Sequence, residues 1–417
     1  MAGEPQLPPA CVSDVLDNQD LLMEIIVRVG FPTSLVRAAG VCKRWYRLVS
    51  DHAFLRRFRK LHPRKLLGFY LVQRSHLSPS ARFFPMLSQL PPLELAAVVH
   101  PASFWWDIYA GTQTDMVGCW NGRVIFSGVV TSLHVHNEVP REIVFLVHSP
   151  VCSGRGMAVI PALLFPFLEK GDFYSFEQLF SKEEGHALTY FYVMVEAIKD
   201  RTKSIAHVYI LQNGDDAWRK HFTLVVDYLV YKESPSSVLI DEKIYFESAN
   251  EIVVLDLTAS SFSRIQPPQG VDFDIKGTTI LSRSDDAPGL YLIHAKKFRL
   301  HIWLYKAGKW LLEDNICLQA MCATILEHEP NALIEINHVG NYSEFVFLNI
   351  GRCAFYLDVK CRTFHKVYEM PKEDQTFGCI HPFMMIWRPI FPALKDGHAR
   401  FATWPSDYMS TSFVKVT

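Results

Sequence analysis

The hydrophobic positions of the chain change period once. Between Asn18 and His62 they recur at helical spacing, with Leu21, Leu22, Ile25, Ile26 and Val29 forming one stripe. Asn18 supplies an N-cap for that helix, Gly30 a stop, and Pro32 the start of a second helix carrying Leu35, Val36 and Ala39 up to Gly40. A third helix follows on Val41, Cys42, Trp45, Leu48 and Val49. Ser50 or Asp51 caps a fourth, which carries Phe54, Leu55 and Phe58 until Pro63 stops it. Helices this short do not stand alone, so the pattern predicts that they bury one another or a partner.

Beyond residue 66 the helical period gives way to short apolar or alternating runs, separated by Gly, Asn, Asp and Pro. Clear examples are 123–126, 142–147, 191–195, 207–211, 238–240, 243–246, 252–255, 290–293, 299–305, 344–348 and 354–357. Their length and their β-branched and aromatic content predict strands. Helix is predicted only over 162–169 and 315–326. A loose repeat runs through the region, in which a strand, a turn and an aromatic residue follow one another: Ile210 to Trp218, Leu255 to Phe262, Leu304 to Trp310, Leu357 to Phe364. The aromatics stand 44, 48 and 54 residues apart, a period that suits the blades of a β-propeller. Counting back, Gly118-Cys119-Trp120-Asn121-Gly122 and Ser149-Pro150 extend the pattern. Roughly 350 residues of β-rich chain supply six to eight blades at that period; a large β-sandwich or mixed domain is the alternative. The expected organisation is multidomain: a flexible N-terminus over 1–15, an all-α module over 16–62, a connecting segment over 63–90, and a large all-β domain, a β-propeller, over 91–417.

Composition narrows the functional classes. With 49% hydrophobic and 20% charged residues, most of the chain can bury a core. The net charge of −1 gives no global attraction to nucleic acid or acidic lipid. No secretory signal or membrane-spanning run is expected. Nine singly spaced cysteines read as reduced thiols of the cytoplasm or nucleus. Charge is nevertheless uneven. Residues 37–65 hold ten Lys and Arg against the single acid Asp51. Three readings of that run stand open: a DNA-binding helix, a solvated face, or a docking surface for an acidic protein.

The helical segment resembles the F-box, the module that joins a substrate receptor to the Skp adaptor of a cullin-RING ubiquitin ligase. The resemblance is carried by Asp20-Leu21-Leu22-Met23-Glu24-Ile25-Ile26, by Pro32 and Ser34-Leu35, by Val41-Cys42-Lys43-Arg44-Trp45, and by Ser50-Asp51 with Phe54. One departure stands out: the family opens with Leu-Pro ahead of the first helix, whereas here Leu16 is followed by Asp17 and Asn18. The whole arrangement is similar to plant F-box families, grass members among them, with an F-box-associated or kelch-like propeller. The resemblance implies a non-catalytic, substrate-recognition subunit of an SCF-type ligase, with Skp adaptor, cullin and RING subunits as partners and an unnamed target protein on the propeller. It implies an adaptor surface formed or supported by Leu21, Leu22, Ile25, Pro32, Leu35, Val41, Cys42, Lys43, Arg44 and Trp45, with Lys43, Arg44 and Arg47 steering an acidic partner.

Candidate chemistry changes little. No phosphate-binding loop, nucleophile elbow or HExxH stands in the sequence. Gly154-Arg155-Gly156, the pair His134 and His136, and the turn acids Asp215-Asp216 and Asp285-Asp286 select no reaction, and no cofactor, metal site or catalytic residue is expected. The rival readings are a DNA-binding regulator using the basic helices and a propeller enzyme acting on a small molecule. The cluster Phe104-Trp105-Trp106 is a further candidate contact for a partner.

Overall fold

A computed structural model describes residues 16–30, 32–62, 65–74, 79–86, 114–120, 122–130, 142–148, 157–164, 175–184, 187–197, 203–212, 215–227, 236–248, 250–273, 277–283, 289–323, 332–340, 344–371 and 378–384. Among the described residues, helical backbone at Leu16 and Asp17 is followed by four helices: α1 Gln19–Val27, α2 Pro32–Ala39, α3 Lys43–Ser50 and α4 His52–Leu61. The caps read from sequence are in place. The Asn18 carboxamide accepts from the Asp20 and Leu21 amides at 3.0 and 3.2 Å, and the Asp51 carboxylate accepts from those of Ala53 and Phe54 at 2.9 Å. The module's core joins Leu22, Ile26 and Val27 of α1 to Leu35 and Ala39 of α2, Leu48 and Val49 of α3, and Phe54 and Phe58 of α4. His62, just past α4, closes the bundle with its ring 4.5 Å from that of Phe58 and its Nε2 2.8 Å from the Val27 carbonyl.

The remaining described residues form a β-propeller of antiparallel sheets. Each of five sheets takes four consecutive strands, and the sheets begin at β3 (Thr114–Trp120), β7 (Ser175–Glu184), β11 (Ser237–Ile240), β15 (Thr279–Arg283) and β19 (Ile334–Val339). The sixth is three-stranded and drawn from both ends of the domain, in the order β2 (Pro79–Pro85), β1 (Leu66–Arg74), β23 (Cys379–Met384). Among the described residues, six apolar clusters each lie between two neighbouring sheets and together close the ring. On β1 the alternation of side chains serves two of them: Phe69 and Leu71 pack toward β20 (Phe345–Ile350), while Tyr70 and Val72 pack toward β3 and β4 (Arg123–Val130). Gly68 is required in that strand, because a Cβ there would collide with the Phe83 ring and the Phe84 carbonyl.

The four repeated aromatics occupy one structural position. Trp218 immediately precedes β10 (Arg219–Val226), while Phe262, Trp310 and Phe364 lie near the starts of β14 (Ser261–Ile265), β18 (Lys309–Cys317) and β22 (Phe364–Glu369). Each belongs to the outermost strand of its sheet and returns a ring to the core between sheets, as in the Phe355–Phe364 stack at 4.7 Å. The Gly118–Gly122 motif, by contrast, sits at the turn between the first and second strands of its sheet, so it is not another copy.

The two helices predicted in this region fall only partly on described residues. Residues 162–164 belong to β6 (Met157–Leu164), paired with β5 (Glu142–His148), and residues 315–317 complete β18, so these parts are corrected; 319–322 turn and Ala323 is helical, while 165–169 and 324–326 lie outside the described residues. Their runs of helix-compatible residues were overridden by pairing within the sheet. The connecting segment expected over 63–90 is also shorter, since β1 starts at Leu66 and β2 follows at Pro79 as parts of the closing sheet.

Closure is reinforced by one side chain. The Asn337 Oδ1 accepts from the Ile380 amide at 2.7 Å, while its Nδ2 donates to the Gly378 carbonyl at 2.8 Å. Phe383 meets Tyr70 and Phe83 edge-on, each at 5.9 Å. In denaturant unfolding, Phe383→Ala is expected to cost about 3–5 kcal/mol, and Asn337→Ala about 1–3 kcal/mol. A cost near zero for both would show that the seam does not limit stability.

Candidate functional site

The structure sorts the ten sequence-predicted docking residues into different roles. Leu22 and Leu35 are fully buried in the module's own core, a position from which they can support a surface but not form it. Pro32 is the first residue of α2, and its side chain lies outside the described residues. Trp45 is half-buried against the core. Cys42, the N-cap of α3, is exposed and makes no side-chain capping bond. Lys43 is exposed as well. Leu21, Ile25 and Val41 are 46, 48 and 53% exposed. Leu21 and Ile25 are one turn apart on α1 and so share a face.

A groove of about 650 Å³ lies between α1, α3 and the start of α4, on the Leu22 and Met23 side of α1. Its floor is apolar, from Leu22, Met23, Leu48 and Phe54, and its rim carries Lys43, Arg44, Arg47 and the single acid Asp51. The basic run therefore does not act as a uniform surface. Arg57 pairs with Glu24 at 2.5 Å, and Arg44 donates to the carbonyls of Leu16 and Asp17. Sequence reasoning missed these internal roles, because nothing in a run of cations marks which ones reach a neighbour.

On the propeller, a cleft of about 380 Å³ opens between two sheets, one beginning at β7 and the other at β11. Phe191, Ile210 and Leu257 contribute apolar surface, and Gln212, Thr258 and Ser260 polar groups. Lys182 and Glu242 form an ion pair across it, and the His221 ring nitrogen stands 3.1 Å from the Leu257 carbonyl. Among the described residues, no group of three or more His, Cys, Asp and Glu side chains could hold a metal ion. Phe104, Trp105, Trp106, His134, His136, Gly154–Gly156, Asp285 and Asp286 lie outside the described residues. Asp215 is a turn residue, its carboxylate accepting from the Gln212 amide at 2.9 Å.

Residues 115–391 match the family model described as F-box protein AT5G49610-like, beta-propeller, and residues 19–61 match the F-box-like model. The chain belongs to this family of F-box proteins. No curated protein matches the sequence. Among solved structures, this F-box protein is similar to a chain of a nidogen/laminin complex, at 9% identity over 76% of this chain and 98% of that one, with a TM-score of 0.39. It is also similar to AztD of Citrobacter koseri, at 10% identity over 78% and 100% of the two chains and a TM-score of 0.32. A third is a putative 6-phosphogluconolactonase of Bacteroides fragilis, at 10% identity over 76% and 98%, again with a TM-score of 0.32. An F-box-like module followed by an F-box-associated type of propeller is thus the architecture of the chain, an architecture typical of non-catalytic substrate-recognition proteins.

The perturbed histidines of this F-box protein lie on strands of its propeller. His338 on β19 is lowered to about 3 by burial and then by the neighbouring His381. His381 on β23 is lowered to about 4 by burial. His294 on β16 (Leu290–Lys296) is lowered to about 4 by burial first and then by His301 and Lys296. All three are neutral near pH 7. Because these folded-state values lie below the ordinary histidine value, the unfolded chain takes up protons that the folded protein refuses. Their contribution is complete above about pH 6.5 and drains away as pH falls toward the folded values. The urea midpoint is expected to drop between about pH 7 and 4.5, and to drop less in His338→Gln/His381→Gln. Equal pH slopes in parent and variant would contradict the assignment.

Proposed function

We propose that this F-box protein is the substrate-recognition subunit of an SCF-type cullin-RING ubiquitin ligase, its helical module docking on the Skp adaptor and its propeller holding a target protein. The carrying observation is that the module completes its own core and still leaves Leu21, Ile25 and Val41 about half exposed. Covering the exposed half of each such side chain gains about 1 kcal/mol, roughly half the value for burying a fully exposed one, so apolar contact supplies the affinity. Cys42 and Trp45 extend the contact, while Lys43 and Arg47 at the groove rim bias encounter toward an acidic partner. Catalysis belongs to other subunits. This protein raises the local concentration of a target lysine near a charged conjugating enzyme.

The test is co-purification of the full-length protein with Skp adaptor at two salt concentrations, beside the double substitution Leu21→Asp/Ile25→Asp. Both positions are exposed, so the variant keeps its fold. A loss of at least about 30-fold in affinity is expected, the equivalent of about 2 kcal/mol at a binding hot spot, and wild-type binding should tolerate salt. Failure of folded wild-type protein to bind, or a variant that binds as well as wild type, would overturn the reading. Binding of nucleic acid that collapses steeply with salt would favour the DNA-binding alternative.

A further inference from the structure

The chain lacks the proline that opens the family's first helix, yet the segment ahead of α1 is tied down. Arg44, at the start of α3, reaches across to it with both arms of its guanidinium. Nη1 donates to the Leu16 carbonyl at 3.0 Å and Nη2 to the Asp17 carbonyl at 2.5 Å. The Asp17 carboxylate stands farther off, 3.5 Å from Nη1, and is well exposed. Leu16 itself packs against the module core. Two consecutive main-chain carbonyls held by one planar fork leave the entry to α1 little freedom to rotate.

We propose that Arg44 is a positioning residue for adaptor docking, a staple between α3 and the main chain before α1 that fixes the direction in which Leu21 and Ile25 face outward. This rests on the docking function proposed above. The grip is on carbonyl oxygens, so the fork geometry is what matters. A lysine keeps the charge but offers a single ammonium in place of two rigidly spaced donors. The Asp17 side chain, which takes part only through a longer and exposed ion pair, contributes little.

Three variants of the full-length protein separate the possibilities: Arg44→Met, Arg44→Lys and Asp17→Asn. Hydrogen exchange is read at residues 19–22 and, as a control, at Phe58 in α4, and adaptor affinity is measured at low and high salt. Both Arg44 variants are expected to speed exchange over 19–22 about tenfold while leaving Phe58 protected. They should weaken adaptor binding about five- to twentyfold at both salts, with Asp17→Asn matching wild type throughout. Wild-type behaviour of Arg44→Lys, or unchanged exchange in Arg44→Met, would overturn the staple. Loss of Phe58 protection as well would replace it with a general role in the core. A binding defect confined to low salt would show instead that Arg44 meets the partner directly. Should wild type not bind the adaptor at all, the docking reading fails, while the exchange measurements still decide the staple.

Discussion

A propeller is stable only if its ring closes, and here closure depends on one sheet made from distant parts of the chain. β1 and β2 follow the helical module, while β23 returns some 300 residues later to pair with β1. Every other sheet is a local meander that could form from consecutive residues. The closing sheet has to wait for both ends, so its contacts carry the sequence-distant part of the folding cost. That explains the density of rings there. Phe69, Tyr70, Phe83, Phe84 and Phe383 contact one another within the sheet, and Phe69 also reaches Phe347 in the neighbouring one at 5.2 Å. Asn337 adds a polar bolt across this seam, satisfying backbone groups at Gly378 and Ile380 that flank the start of β23.

The same constraint links the two domains in sequence. α4 ends at Leu61 and β1 begins at Leu66, so the module is attached to the strand on which closure depends. Few residues intervene, and a chain this short spans little more than about 15 Å even when extended. On the proposed function, an adaptor docked on the module would thereby be held close to the propeller. The module contributes an economical surface. Its core uses Leu22, Ile26 and Val27 of α1 and leaves Leu21 and Ile25 of that helix exposed.

Much of this was legible in the residues. Caps at Asn18 and Asp51, the breaks at Gly30 and Gly40, and the start at Pro32 drew the four helices, because capping chemistry is local. The outer-strand aromatics drew the repeat, since four of the sheets carry a ring at the same corner. Outermost strands themselves were poorly legible. β10, β14 and β22 read Arg-Lys-His-Phe, Ser-Phe-Ser-Arg and Phe-His-Lys-Val at their starts, polar sequences that a solvated edge permits. The closing strands β1 and β23 were missed as a pair because no local pattern encodes a partner so far away. Among site residues, helical period grouped Leu21 with Leu22 but could not say which faced the core. The charge of Arg44 suggested a partner, whereas its geometry assigns it to the backbone ahead of α1.

The account turns on whether α1 and the start of α3 are the surface that meets the adaptor. Hydrogen exchange of the full-length protein with and without Skp adaptor tests it most directly. The predicted result is added protection over α1 and residues 41–45, with the propeller strands unchanged. Protection confined to the propeller, or none on α1 in a complex shown to have formed, would contradict the account.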